Sequence, residues 1–149
     1  MRSTRGPSRR LRTRAGAAVL LAAAAAGAQP VNPFTCPDSP NCVSSDARDS
    51  HAIAPLRIRG TPQLAWQALE QRLQRTERVK IVSSEPDYLR AEFTTRLLRF
   101  TDDVDFELRA AQGIIAMRSA SRVGYYDFGA NRSRLEQLRK ELRAEGVVE

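Results

Sequence analysis

Arginine, serine, asparagine and aspartate are concentrated between Met117 and Arg134. This segment holds four Arg, three Ser, two Gly, one Asp and one Asn. Guanidinium groups and small hydroxyls bind carboxylates and phosphates, and glycine permits the turns that wrap backbone around an anion. Because a core does not need so many polar groups, the segment predicts an anion-binding site. The predicted ligand-binding residues are Arg118, Ser119, Ser121, Arg122, Asp127, Asn131, Arg132 and Arg134.

The serines and the first arginines of this segment alternate along a predicted strand. Alternation places Arg118 and Arg122 on one side of the strand and Ser119 and Ser121 on the other. The two groups can face one ligand only if the strand bends, which the glycines that follow it permit.

The last part of the segment is predicted to begin a helix. Asp127 or Asn131 can cap that helix, whose N-terminus offers free backbone N–H groups to an anion. Arg132 and Arg134 fall in its first turn, where basic side chains oppose the helix dipole. A bound anion or partner acid would explain them, and the alternative is an Arg–Asp clamp that joins helix to sheet.

Two acidic residues lie on the strand that should neighbour these arginines. Asp103 and Asp105 project from the same side of that strand, and a hairpin brings Arg118 and Arg122 beside them. They form either an ion-pair network or a mixed pocket in which the acids orient the arginines towards a ligand. A calcium loop would need more oxygen ligands, so no metal site is predicted.

The two cysteines of the chain are Cys36 and Cys42. In an exported protein this pair favours a disulfide that staples a short segment. A metal site formed with His51 and a redox dithiol are the alternatives, although the spacing is not C-x-x-C.

His51 is the sole histidine of the chain, so any Ser-His-Asp or Cys-His mechanism would use it as the base. Nothing near it resembles a nucleophile elbow, which favours a surface or capping role. No catalytic residue is assigned and no cofactor is predicted.

The beginning of the chain is typical of a secretory signal peptide. Met1–Arg14 carries six Arg and no acid, Ala15–Ala26 is apolar, and small residues precede Gln29. Residues 1–28 are therefore predicted to be removed, and the protein is predicted to be periplasmic or secreted. The apolar run is too short to span a bilayer, which takes about 20 residues. Membrane association is expected only if the leader is retained.

Export also changes the meaning of the charge. The net charge of +7 includes the six leader arginines, and their removal leaves 18 basic and 17 acidic residues. A balanced chain gives no electrostatic reason to expect nucleic acid as a partner. Its length suits one domain with one core.

The elements that position these residues follow from spacing and turn signals. Residues 29–50 form a proline-rich ordered arm, and residues 51–149 form the α+β domain with which the arm makes one globular unit. A short strand at 51–59 precedes a helix that Thr61 caps and that runs to about Glu77. Four strands are predicted at Val79–Ser83, Tyr88–Phe100, Val104–Arg109 and Ile114–Ser121, and a final helix at about 131–144.

Short turns between these strands require antiparallel neighbours. The order β-α-β-β-β-β-α therefore predicts a two-layer α+β fold, with an antiparallel sheet and both helices on one face.

Three stretches carry a resemblance to a known family. They are Cys-Pro-x-x-Pro-Asn-Cys-Val-Ser-Ser at Cys36–Ser45, Asp-Asp-Val-Asp-Phe at Asp102–Phe106, and Arg-Ser-x-Ser-Arg-x-Gly-x-x-Asp-x-Gly-x-Asn-Arg-x-Arg at Arg118–Arg134. Together they resemble the domain-of-unknown-function family numbered 1499. The resemblance implies a small exported or organellar domain of bacteria or photosynthetic organelles and assigns no activity.

The sequence favours a non-enzymatic binding or accessory module that engages an anionic small molecule, a lipid head group or an envelope protein through the Arg/Asp/Asn cluster. A hydrolase-like enzyme that uses His51 or Asp103 with a Ser or Cys nucleophile is the second hypothesis. A purely structural exported domain is the third, and it expects every arginine of the cluster to be paired already. The oligomeric state is not predicted.

Overall fold

A computed structural model describes residues 32–149 of the chain. The predicted signal peptide lies outside these residues. Within the described part, no helix combines the length and the apolar character that a membrane crossing requires.

The fold is an antiparallel sheet covered by two helices, and the predicted α+β class is confirmed. The sheet has six strands in the order β1-β6-β5-β4-β3, and β2 also pairs with β6. The strands are β1 (Cys42–Ser44), β2 (Leu56–Arg57), β3 (Val79–Ser84), β4 (Tyr88–Thr94), β5 (Thr101–Arg109) and β6 (Ile114–Ser121), and the helices are α1 (Pro62–Arg75) and α2 (Ala130–Ala144).

Both helices bury one apolar stripe against the same face of the sheet. The Thr61 side chain accepts a hydrogen bond from the Leu64 N–H at the start of α1, where Pro62 occupies the first turn. α1 buries Ala65, Trp66, Leu69 and Leu73, and α2 buries Leu135, Leu138 and Leu142. These side chains share one core with Leu89, Ala91, Val104, Phe106, Ile115 and Met117 of the sheet. Because those strand residues alternate, the helices lie on one face.

The arm lies across the opposite face of the sheet. The guanidinium of Arg109 on β5 lies 5.4 Å from the ring centroid of Phe34, which is buried. Arg109 also forms an ion pair with Asp46 of the arm, with an N–O distance of 2.7 Å. The arm therefore covers part of the outer face, and its residues 42–44 add the edge strand β1.

The connection between β4 and β5 differs from the prediction. The predicted strand Tyr88–Phe100 ends at Thr94, and β5 begins at Thr101 instead of Val104. Thr95 and Phe100 close a loop, because the Thr95 N–H donates to the Phe100 carbonyl at 2.8 Å and the Phe100 N–H donates to Thr95 Oγ1 at 2.9 Å. The sequence pattern hid this loop, since its apolar residues fit a continued strand.

Candidate functional site

The sheet divides the predicted anion site between its two faces. Arg118 pairs with Asp105 in the strand register, and Ser119 pairs with Val104 of the core face. β6 is continuous from Ile114 to Ser121, so Arg118 and Ser119 point in opposite directions. The predicted cluster is thus two separate groups of side chains.

The group on the helix side is a hydrogen-bond network that fixes α2 to the sheet. We call it the inner clamp, and it consists of Asp102, Ser119, Ser121, Asp127, Asn131 and Arg134.

Asn131 lies at the centre of the inner clamp and is fully buried. Its Nδ2 lies 2.8 Å from Ser121 Oγ and 2.9 Å from the carbonyl oxygen of Asn41 in the arm. Its Oδ1 accepts a hydrogen bond from Ser119 Oγ at 2.6 Å. One amide therefore links the arm, β6 and α2.

Arg134 is the positively charged member of the inner clamp. Its guanidinium forms an ion pair with the nearly buried Asp102 and donates to Ser119 Oγ at 2.9 Å. It also lies over the ring of Phe93, 5.0 Å from the centroid. The carboxylate of the neighbouring strand, and not a ligand, thus accounts for this cation in the first turn of α2.

Asp127 occupies the position at the start of α2 where an anion could bind. Its carboxylate accepts hydrogen bonds from the N–H of Gly129 at 3.0 Å and of Asn131 at 2.9 Å. Burial alone would raise the pKa of Asp127, but these hydrogen bonds outweigh it and lower the pKa below its usual value. The helix N-terminus therefore already holds a carboxylate of the chain.

The group on the arm side of the sheet is a set of ion pairs. We call it the outer clamp, and it consists of Tyr88, Arg90, Glu92, Asp103, Asp105, Arg118 and Arg122. The predicted approach of Arg118 and Arg122 to Asp105 and Asp103 is confirmed.

Asp105 is the fully buried member of the outer clamp. Arg90 Nε lies 2.7 Å from one carboxylate oxygen and Arg118 Nη1 lies 3.2 Å from the other. The Tyr88 hydroxyl donates to Asp105 at 2.6 Å. Burial and this hydrogen bond raise the pKa of Tyr88 to about 12. Arg118 Nε also donates to the Thr35 carbonyl of the arm at 3.0 Å, so the arm is tied to the clamp.

The remaining predicted arginines also have partners within the chain. Arg122 donates two hydrogen bonds to Asp103, at 2.9 and 2.7 Å, and one to Glu92 at 2.5 Å. The hydrogen bonds from Arg122 lower the pKa of Asp103. Arg132 Nη2 donates to the Ser50 carbonyl at 3.2 Å. All four arginines of the predicted site are therefore paired, as the structural interpretation expects.

Cys36 and Cys42 form a disulfide, as predicted, with Cα atoms 5.7 Å apart. The alternative metal site needs both thiols, and it does not fit sulfurs that are bonded to each other. No group of three or more His, Cys, Asp or Glu side chains within residues 32–149 is arranged to hold a metal ion.

His51 is held by the arm. Its Nδ1 lies 3.0 Å from Asp49 Oδ1, and its Nε2 lies 3.2 Å from the Ser39 carbonyl oxygen. Both ring nitrogens thus have partners, and a serine hydroxyl is not among them in the described part of the chain. A cysteine nucleophile is excluded because both cysteines are in the disulfide.

Two loops at one end of the sheet expose large apolar side chains, which the sequence analysis did not identify. One joins β4 to β5 and the other joins β6 to α2. We call their apolar residues the apolar tip, and they are Leu97, Leu98, Phe100, Val123, Tyr125, Tyr126 and Phe128. The two loops face each other across a groove of about 440 Å³.

Two residues of these loops have backbone conformations that ordinary side chains avoid. Phe128 is 97% exposed and has a φ of 54°, and Arg99 has a φ of 53°. The left-handed region is an outlier for a bulky residue and costs free energy. Tyr126 contacts both Tyr125 and Phe128, with ring centroids 5.3 and 6.4 Å apart. An exposed aromatic group in a strained conformation adds nothing to the core, which indicates another use.

The loop between β4 and β5 is also cationic. Arg96 and Arg99 flank Leu97 and Leu98, and both arginines are exposed. The segment from Thr95 to Phe100 contains no acidic residue. Neither arginine belongs to an ion pair within residues 32–149. They differ in this respect from the arginines of the two clamps, each of which forms an ion pair with a carboxylate of the chain.

The comparison with protein families identifies the domain to which these features belong. The model of the family described as "Protein of unknown function (DUF1499)" matches residues 34–142. The chain belongs to this family. The match extends from the arm through the whole sheet to Leu142 on α2. No curated protein and no solved structure matches the chain.

In this DUF1499 domain, the residues that carried the resemblance build the clamps and the disulfide. Asp102, Asp103 and Asp105 of the second stretch each bind an arginine of the third stretch. The residues of the apolar tip lie outside these stretches or at positions where the third stretch names no residue. The DUF1499 motifs therefore account for the framework beneath the tip.

Proposed function

We propose that this DUF1499 domain is a non-enzymatic binding module, exported to the periplasm or the outside of the cell. It engages an envelope component through the apolar tip, with Arg96 and Arg99 contributing positive charge. The observation that carries the proposal is the exposure of the tip's apolar side chains around one groove. Soluble proteins rarely expose contiguous apolar patches larger than a few hundred Å² unless the patch binds something.

The arm and the inner clamp support this role because they hold the β6–α2 loop of the tip in place. The Asn41 side chain donates to the Gly124 carbonyl at 2.5 Å, and Asp127 ties the other end of the same loop to α2. A loop that is ordered before binding loses less conformational entropy when it binds. The predicted site residues thus serve binding by supporting the loop that makes the contact.

Because the arginines of the predicted site are already paired, we propose a different position for the contact with an anionic group. To bind an anion, Arg118 or Arg134 would have to give up a buried carboxylate, Asp105 or Asp102, and would leave that charge without compensation. Arg96 and Arg99 are exposed and meet no such cost. We therefore place the anionic contact at the β4–β5 loop.

The two other hypotheses account for less of the molecule. A hydrolase needs a nucleophile beside His51, whose ring nitrogens contact Asp49 and a backbone carbonyl. A purely structural domain explains the clamps, but it gives no reason for a fully exposed Phe128 with a left-handed backbone.

Co-sedimentation with an envelope fraction from the organism that encodes the chain tests the proposal. The chain without its predicted leader, residues 29–149, is used in oxidised form with the disulfide intact. We expect the wild type to bind and the double variant Leu97→Ser/Leu98→Ser to lose most of that binding. Leu64→Ser is the matched control, because Leu64 is equally apolar and 59% exposed but lies on α1.

The control residue is far from the tip in the topology. α1 follows β2, which pairs with the first residues of β6. The two loops of the tip lie instead beside the last residues of β6, where Ser121 pairs with Asp102 of β5. Equal loss of binding in Leu64→Ser and in the double variant, or wild-type binding by the double variant, would contradict the proposal.

A further inference from the structure

We infer that the envelope component is an anionic lipid bilayer, with the apolar tip inserted at the boundary between head groups and acyl chains. This inference rests on the proposed function and names its partner. The sequence predicts membrane association only through a retained leader. The tip offers a second route that uses residues of the folded domain alone.

The β4–β5 loop has the residue pattern that a lipid interface requires. Its apex reads Arg96-Leu97-Leu98-Arg99, and all four residues are exposed. Leucine side chains lower their free energy in the acyl region, while arginine stems reach back so that the guanidinium groups meet lipid phosphates. One short loop thus offers the apolar and the cationic contact together.

The β6–α2 loop adds aromatic side chains at the same end of the sheet. Tyr125 and Tyr126 are each 65% exposed, and Phe128 is almost completely exposed. A tyrosine has an apolar ring and a polar hydroxyl, and tyrosines are enriched where hydrocarbon meets water. Phe128 has no polar atom and suits the deeper position.

The two carboxylates that line the groove between the loops are both bound by groups of the chain, so neither is free to face lipid phosphates. Asp102 and Asp127 line the groove. Asp102 is paired with Arg134, and Asp127 is bound by the first N–H groups at the start of α2. Arg96 and Arg99 belong to no ion pair within residues 32–149, and their charge complements an anionic surface.

A bilayer also fits the most exposed apolar side chains of the two loops, which carry no hydrogen-bonding group. The Thr95 hydroxyl already accepts the Phe100 N–H, and the Leu97, Leu98 and Phe128 side chains can form no hydrogen bond. Protein interfaces of ordinary size contain about ten direct hydrogen bonds. The acyl region of a bilayer offers none, so the Leu97, Leu98 and Phe128 side chains are matched to it.

Sedimentation with protein-free vesicles tests the inference. One set contains phosphatidylcholine alone, and the other contains phosphatidylcholine with phosphatidylglycerol. We expect the oxidised wild-type domain to bind the anionic vesicles and to bind less as salt rises, because salt screens the arginine contacts. Arg96→Ala/Arg99→Ala should lower partitioning about 30-fold, or about fivefold for each arginine. Arg59→Ala, at an exposed arginine next to β2, should leave it unchanged.

Insertion itself is detected with a fluorescent residue on the tip. Phe128→Trp places an indole at the most exposed tip position, whereas the natural Trp66 is buried in the core. We expect the added emission to shift to shorter wavelength with anionic vesicles and to stay unchanged with phosphatidylcholine. Leu64→Trp is the matched control and should show no shift with either.

The outcomes separate this inference from the proposed function. Equal binding to both kinds of vesicle, or no spectral shift in Phe128→Trp, would overturn the lipid inference. If the domain then still bound the envelope fraction through Leu97 and Leu98, the proposed function would stand with a protein as the partner. Failure in both assays would remove both proposals.

Discussion

The arginines of the clamps and the arginines of the β4–β5 loop have opposite surroundings. Arg118 and Arg134 are mostly buried, and each contacts a buried carboxylate. Arg96 and Arg99 are exposed beside Leu97 and Leu98. Neither arginine belongs to an ion pair within residues 32–149. The same residue type therefore serves the framework in one region and faces solvent in the other.

This difference shows why arginine content alone does not identify a binding site. A guanidinium that meets a carboxylate of its own chain gains little by exchanging it for a ligand, because the carboxylate is left without a partner. An exposed guanidinium next to exposed apolar groups loses little on binding. The predictions below test whether the clamps determine stability and the tip determines binding.

The largest effect is expected from the centre of the inner clamp. Asn131→Ala leaves Ser119, Ser121 and the Asn41 carbonyl without their buried partner. We expect the free energy of unfolding to fall by about 3 kcal/mol, measured by urea denaturation. Gln137→Ala is the control on the exposed side of α2 and should stay within about 0.5 kcal/mol of the wild type. A loss as small as that of the control would mean that the clamp does not hold α2.

The disulfide should have the next largest effect. Cys36→Ser/Cys42→Ser frees a short loop in the arm, whose sequence separation is 6. Loop closure of this size predicts a loss of about 2 kcal/mol in the free energy of unfolding. Adding reductant to the wild type should give the same loss, and adding it to the double variant should change nothing. Stability independent of reductant in the wild type would contradict this prediction.

Asp127 should make the stability depend on pH. Its pKa in the folded state lies below the usual value of 3.8, so Asp127 stabilises the fold above that pH, and the stabilisation is lost as pH falls through the lowered pKa. Asp127→Ala should cost about 1 kcal/mol at pH 7 through loss of the cap. Urea denaturation at several pH values should show this difference shrinking below pH 3.8. A difference in stability that grows on acidification would contradict a lowered pKa for Asp127 in the folded state.

The smallest stability effect is expected at the tip. Phe128→Gly removes the penalty of a left-handed phenylalanine, with φ of 54°, and also makes the unfolded chain more flexible. We expect the free energy of unfolding to change by less than about 1 kcal/mol in either direction. Envelope binding should decrease in the same variant. A large loss of stability would show that Phe128 belongs to the framework.

Much of the fold was predictable because its signals are local. The Thr61–Pro62 start of α1, the apolar spacing of α2 and the turn residues between strands each act over a few residues. The ion pairs of Arg118 and Arg122 with Asp105 and Asp103 followed from the hairpin register. The disulfide followed from the pair of cysteines in a chain predicted to be exported.

The apolar tip was not predictable in the same way. Leu97 and Leu98 fit a strand, and only the hydrogen bonds between Thr95 and Phe100 turn them into a loop. The pairing of Arg134 with Asp102 joins residues 32 positions apart, which no local pattern indicates. Exposure depends on what the rest of the chain covers, so it appears only in the folded structure.

A direct comparison of Arg118→Ala with Leu97→Ser/Leu98→Ser tests the central claim. Both variants are assayed for sedimentation with the envelope fraction at a temperature where near-ultraviolet circular dichroism shows that they are folded. We predict that Arg118→Ala binds like the wild type but unfolds at a lower urea concentration, whereas the leucine variant is as stable as the wild type and binds poorly. Loss of binding in folded Arg118→Ala, with normal binding by the leucine variant, would return the site to the arginine cluster and contradict this account.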